Sequence, residues 1–219
     1  GLSEDIMFAE IKDFPVQSVF MEKLEGTLED IILISKTNIM ECQQNINKSE
    51  TILGESFLKW KMHISKKRIE KEWCSYLFQV IFGLSVAQKI FCFTHNDLHS
   101  SNIMYLKTKT KYFYYMVDDR YYKIPTNGYI LKIIDFGRAV FKVNNKQFFS
   151  DVFEYNGDAG GQYTYPINND KINNGKITHP NMSFDLSRLS VSIIEDLFPL
   201  LSINKKENKL YKLLYSWVK

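Results

Sequence analysis

Two short acidic stretches hold the residue types best suited to chemistry. The first reads His95-Asn96-Asp97-Leu98-His99-Ser100-Ser101-Asn102, and the second reads Ile133-Ile134-Asp135-Phe136-Gly137. Asp97 offers a carboxylate able to accept or orient a hydroxyl proton. Asn102 and Asp135 offer an amide oxygen and a carboxylate, the hard donors that suit magnesium, which binds one or two protein groups and fills its other positions with phosphate and water. His95 and His99 flank Asp97, but the helical zinc-protease pattern requires Glu directly after the first His, and Asn96 stands there. An Asp-Phe-Gly tripeptide alone makes ordinary turns. Its weight here comes from the apolar stretch 129–134 leading into it and from its place downstream of the first motif.

Taken together, these motifs resemble those of the protein-kinase-like superfamily, in the manner of a divergent Ser/Thr kinase of the haspin or large-DNA-virus type. The resemblance implies an ATP-dependent phosphotransferase with Asp97 as catalytic base and Asn102 and Asp135 on Mg2+, because phosphoryl transfer mainly needs phosphate charge neutralised and the acceptor hydroxyl held in line. Two departures modify that expectation. Asn96 replaces the Arg that usually precedes the base, which argues against activation by loop phosphorylation. His99 replaces the usual Lys and joins the catalytic set, and its charge near neutral pH depends on its surroundings.

The same resemblance reads 19–28 as the hinge between two kinase lobes. Met21 would back the adenine pocket, and the backbone of Glu22 and Leu24 would bond the adenine edge. ATP and a protein substrate are the implied partners. A small-molecule kinase stays open because of His99, and a non-catalytic, kinase-derived binding module stays open because parts of a full kinase are missing.

The elements that must position these groups follow from periodicity. The stretch 16–24 reads as a buried strand broken at Glu25-Gly26, and Thr27 with Asp30 fits a capping box opening an apolar helix. The polar stretch 41–56 reads as a surface connection. Trp73, Leu77, Val80, Ile81, Leu84, Ala87 and Phe91 recur at helical spacing and predict a long buried helix over 70–92, running directly into the Asp97 loop. The tyrosine-rich stretch 112–124 predicts a β-hairpin turning at Asp118-Asp119-Arg120. A second buried helix is expected over 184–197. By resemblance its Asp185 would hold backbone amides of the Asp97 loop, whereas taken alone it is a carboxylate at a helix start. Between them, 138–180 occupies the place of an activation segment. Gly157-Asp158-Ala159-Gly160-Gly161 lacks the preceding strand and the Lys-Ser/Thr ending of a Walker loop.

Composition sets the outer limits. With 219 residues, 45% of them hydrophobic, the chain can bury a substantial core. A net charge of +3 with dispersed basic residues does not demand nucleic acid. Cys42, Cys74 and Cys92 form no close pair, and no uninterrupted apolar run approaches bilayer length, so an intracellular, cytoplasmic setting without membrane contact is expected. The Gly-rich loop, strand Lys and helix Glu of a complete kinase are not found before the hinge. The expected fold is therefore α+β, a partial kinase-like domain over 1–219, with the hinge region at 1–26 and the large lobe at 27–219. That lobe is expected to be mainly helical, to carry a hairpin insertion, to lack the small lobe and to be incomplete at its C-terminal side.

Overall fold

A computed structural model describes residues 20–153, 156–159, 181–201 and 208–218. In chain order the elements are β1 (Gly26–Thr27), α1 (Leu28–Asn47), α2 (Ile52–Phe91), β2 (Ile103–Lys107), β3 (Tyr112–Val117), β4 (Arg120–Pro125), β5 (Tyr129–Ile133), β6 (Phe141–Val143), β7 (Lys146–Phe148), α3 (Phe184–Leu201) and α4 (Lys209–Val218). Among the described residues the fold is α+β, with four helices and small antiparallel sheets.

The central sheet has the order β1-β2-β5, with Gly26 opposite Tyr105 and Ile103 opposite Ile133. Its core is built where helices cross it. Leu28 and Ile32 of α1, Trp73, Leu77 and Leu84 of α2, Leu189, Ile193 and Leu197 of α3, and Leu210 and Leu214 of α4 are all buried in one cluster with Ile103. The cap of α1 forms as the sequence implies. Asp30 N–H donates to the Thr27 hydroxyl at 3.3 Å and Asp30 Oδ2 accepts from Thr27 N–H at 2.7 Å.

The tyrosine-rich hairpin is present as β3–β4, with Val117 opposite Arg120 and the turn residues Asp118 and Asp119 at positive φ. Tyr115 packs on Phe78 and Phe82 of α2 at ring separations of 5.2 and 4.6 Å, which fixes the hairpin to the helix.

Three sequence expectations are corrected. The stretch 41–56 is not a long connection. Helix α1 continues to Asn47 and α2 begins at Ile52 behind a Thr51 cap, because Ile39 and Ile46 bury one face while Asn and Gln lie on the other. Accordingly α2 spans forty residues rather than 70–92. The strand expected at 16–24 lies partly outside the described residues, and residues 20–25 carry no strand. Pairing starts at Gly26, which the sequence suggested as a break. A Cβ there would stand 2.7 Å from the Tyr105 hydroxyl and 2.8 Å from Asp30 Oδ2, so any larger residue would displace those side chains. Of the expected activation segment, 138–153 and 156–159 are described, whereas 154–155 and 160–180, with the last two residues of the glycine-rich stretch, lie outside the described residues.

By length and composition, α2 is long and apolar enough to cross a membrane, and 33% of its most apolar window is buried inside the molecule. The buried residues of its second half are core, since Trp73, Leu77 and Leu84 belong to one cluster with residues of α1, α3 and the sheet.

Candidate active site

The Asp97 loop begins where α2 stops. Cys92 adopts a left-handed conformation that ends the helix, and Thr94 then forms a two-way backbone bridge with Val140 at 2.9 Å in each direction. That bridge joins the chain just before the first motif to the chain just after the second.

The backbone of the loop is held from α3. Asp185, fully buried, accepts from His95 N–H at 2.8 Å and from Asn96 N–H at 2.9 Å. Burial pushes the Asp185 carboxyl up from its ordinary value, and the two backbone donors pull it back. Asn96 itself has φ 64°, a left-handed position that Asn tolerates better than most residues.

His95 joins the two motifs. Asp97 N–H donates to His95 Nδ1 at 3.3 Å, so Nδ1 is the unprotonated nitrogen and Nε2–H donates to the Ile134 carbonyl at 2.8 Å. The buried imidazole is thereby a strut between the backbone of Asp97 and the residue before Asp135. The Phe136 ring meets the imidazole tilted at 5.7 Å and Phe93 edge-on at 5.8 Å.

Asn102 completes the frame. Its Nδ2 donates to the Asp97 carbonyl at 2.9 Å, and its own carbonyl accepts from Ile134 N–H at 3.0 Å, extending the β2–β5 ladder by one step. With Nδ2 fixed on Asp97, the amide oxygen is the atom left for another partner. Asp135 follows at φ 62° and ψ 71°, exposed, with Oδ1 accepting a long 3.4 Å bond from Gly137 N–H.

Arg138, which the sequence reading did not single out, reaches this centre. Its Nη1 lies 3.2 Å from Asp97 Oδ2, and its carbonyl accepts from Asn96 Nδ2 at 2.9 Å. The available signal was a cation directly after Asp-Phe-Gly. On the same Asp97 oxygen, His99 Nε2 stands at 3.9 Å. Burial lowers the His99 pKa from its ordinary value, with Arg188 and His95 pushing the same way and Asp97 and Asp135 opposing.

The structure thus brings Asp97, His99, Asn102 and Asp135 to one end of the β2–β5 pair. The hinge candidates lie along the same sheet. Glu22 pairs with Lys132 of β5, Leu24 is half-buried, and Met21 is 81% exposed. Among the described residues no group of three or more His, Cys, Asp or Glu side chains forms a metal cage. A magnesium ion needs less than that, and the Asn102 amide oxygen with the Asp135 carboxylate is a donor pair of the right hardness. An apolar cavity of about 540 Å³ adjoins the back of Phe136, lined by Val80, Gly83, Phe93, Leu131 and Ile133, and contains none of these polar groups.

No protein-family profile matches the chain. Bovine serine/threonine-protein kinase haspin is 32% identical over 78 residues, covering 36% of this chain and 10% of haspin. The mouse haspin matches to the same extent, and a probable serine/threonine-protein kinase of Dictyostelium discoideum is 30% identical over 101 residues, 37% of this chain and 8% of that protein. The chain is therefore similar, partially and distantly, to serine/threonine kinases, and the matched part is about a tenth of those relatives' length.

Proposed function

We propose that this chain carries the base and magnesium side of an ATP-dependent phosphotransferase, a divergent Ser/Thr protein kinase acting on a protein substrate. The observation that carries the reading is the Ile134 N–H to Asn102 carbonyl bond at 3.0 Å, which sets the ends of the two motifs side by side. Partial similarity to haspin and a second kinase supports the same class.

In this reading Asp97 accepts or orients the proton of the acceptor hydroxyl, and Asn102 holds the Asp97 backbone through its amide nitrogen. Its amide oxygen and the Asp135 carboxylate would hold Mg2+, whose bound charge would neutralise the phosphates of ATP. Burial holds His99 beside Asp97 toward its neutral form, while the Arg138 guanidinium stands 3.2 Å from Asp97 Oδ2.

The test is Mg2+-dependent ATP binding by calorimetry beside a radiolabelled phosphotransfer assay. Asp135→Ala should abolish the magnesium-dependent part of binding. Asp97→Ala should leave binding intact and lower transfer by about 10² to 10⁴. Unchanged transfer in Asp97→Ala would remove it from the mechanism, and unchanged Mg2+-ATP binding in Asp135→Ala would remove the metal assignment.

A further inference from the structure

The first half of α2 carries an apolar seam on its outer side. Leu53, Phe57, Trp60 and Ile64 are 85, 60, 61 and 46% exposed, and their 4-3-4 spacing confines them to an arc of roughly 60° at 3.6 residues per turn. The opposite face of the same helix is its packed side, with Leu58 and Met62 half-buried and Ile69 and Trp73 buried. One helix therefore has two apolar lines on opposite sides, and the described chain covers one of them.

The surroundings of the open line are basic. Lys61, Lys67, Arg68 and Lys71 are exposed and lie beside the seam or on its continuation. Arg68 is engaged by Glu72 at 2.7 Å, and Glu55 pairs with Lys59 on the other side of the helix. Lys67 and Lys71 have no ion pair among the described residues. Directly beyond Ile64 the surface sinks into a depression of about 560 Å³ whose lining includes Ile64, Lys67, Lys71 and the Arg68–Glu72 pair.

We propose that this seam and the depression that ends it form a docking site for an acidic amphipathic helix of another protein. Apolar side chains of the partner cover Leu53, Phe57, Trp60 and Ile64, and its carboxylates enter the depression beside Lys67 and Lys71. The width of the seam selects the occupant. Apart from Ile52 in the first turn, the exposed apolar residues of this half form a line as narrow as the two-in-seven stripe of a helix-to-helix contact, whereas a face that lies in a lipid surface is broader. A second copy packed in parallel would bring the lysines of the two helices together. Nucleic acid would satisfy the lysines and leave four large apolar side chains in water. The inference stands on this surface alone and is independent of the phosphotransfer reading.

The probe is a fluorescein-labelled synthetic helix of eighteen residues, with Leu in a 4-3-4 seam and Glu clustered at one end, measured by anisotropy against the 219-residue chain. Binding should weaken roughly tenfold or more in Phe57→Ala/Trp60→Ala, as expected for a central aromatic anchor. It should also weaken in Lys67→Glu/Lys71→Glu and recover when the clustered Glu residues of the probe become Lys. Far-ultraviolet circular dichroism of the variants should match the parent, since all four positions are exposed. The proposal is overturned if the helix does not bind, if replacing its Leu seam by Ser changes nothing, or if phosphatidylserine vesicles or a single-stranded oligonucleotide bind through Trp60 more tightly than the helix. Dimerisation of the chain that is lost in Trp60→Ala would equally overturn it, assigning the seam to a second copy.

Discussion

Asp185 Oδ1 accepts a hydrogen bond from Asn96 N–H at 2.9 Å, across 89 residues of sequence, while Oδ2 takes the neighbouring His95 N–H at 2.8 Å. One carboxylate at the start of α3 thereby fixes two successive peptide units of the loop that presents Asp97. The two readings that the sequence left open for Asp185 differ in what the side chain touches, and the contacts are with the loop.

Removing that carboxylate should destabilise the fold. Asp185→Ala leaves two buried N–H groups without an acceptor, each worth about 1–3 kcal/mol, and Asp185→Asn keeps one acceptor and should fall between Ala and the parent. Urea denaturation followed by circular dichroism measures the order. An Ala variant as stable as the parent would show that the loop is held by other means.

His99 should titrate below an ordinary histidine. Its folded pKa is depressed, chiefly by burial, so the folded state binds protons less readily than the unfolded chain. The stability linked to this group is present above the unfolded pKa and is lost as pH falls through the folded one. Because Asp97 is the first of the groups that oppose the depression, Asp97→Asn should move the midpoint further down. An NMR titration of the imidazole reads both effects. A midpoint above that of a free histidine, or an upward move in Asp97→Asn, would contradict the assignment.

Gln79 offers a test of the sheet. From a buried position on α2 its Nε2 donates to the Tyr129 carbonyl at 3.2 Å and its Oε1 accepts from Leu131 N–H at 3.1 Å, closing the outer edge of β5 with a side chain in place of another strand. Gln79→Met keeps the volume and removes both bonds, which should cost about 1–3 kcal/mol for each backbone group left unsatisfied. Denaturation measures the loss, and hydrogen exchange at Leu131 should speed up. Unchanged exchange there would mean that water already satisfies the edge.

What the sequence made legible was local. The capping box of Thr27 and Asp30, the hairpin 112–124 and the helical line Trp73-Leu77-Leu84 each depend on residues a few positions apart, and each is found. The α1–α2 boundary was misplaced because Asn and Gln on an exposed helical face look like loop composition, while Phe57 and Trp60 on the outer side of α2 blurred its period. At the site, Asp97, Asn102 and Asp135 were identified by type and order, and the structure gathers them. Arg138 and Gln79 were not identified, because their roles come from pairings with Asp97 and β5 that no spacing along the chain records.

Arg138 gives the most direct test of how Asp97 is aimed, on the proposed phosphotransfer reading. Its carbonyl is held by Asn96 Nδ2 at 2.9 Å and its guanidinium stands 3.2 Å from Asp97 Oδ2, so the residue that replaces the usual Arg before the base anchors a different Arg beside it. Arg138 therefore acts as a positioning residue for Asp97. Arg138→Met removes the cation and leaves the backbone contact to Asn96 in place, so the loop should stay folded while the carboxylate loses its orientation. A misplacement of about 1 Å in a reacting group costs on the order of 10²-fold in rate, and a loss of that size is expected in kcat with the KM for ATP little changed. Arg138→Lys should recover part of the rate, because an ammonium restores charge near Asp97 Oδ2 without the planar geometry of the guanidinium. Steady-state kinetics of the three proteins, with circular dichroism to show equal folding, decides the matter. Equal kcat in Arg138→Met would show that Asp97 needs no cation beside it, and a loss that Lys does not relieve at all would assign Arg138 to packing rather than to charge.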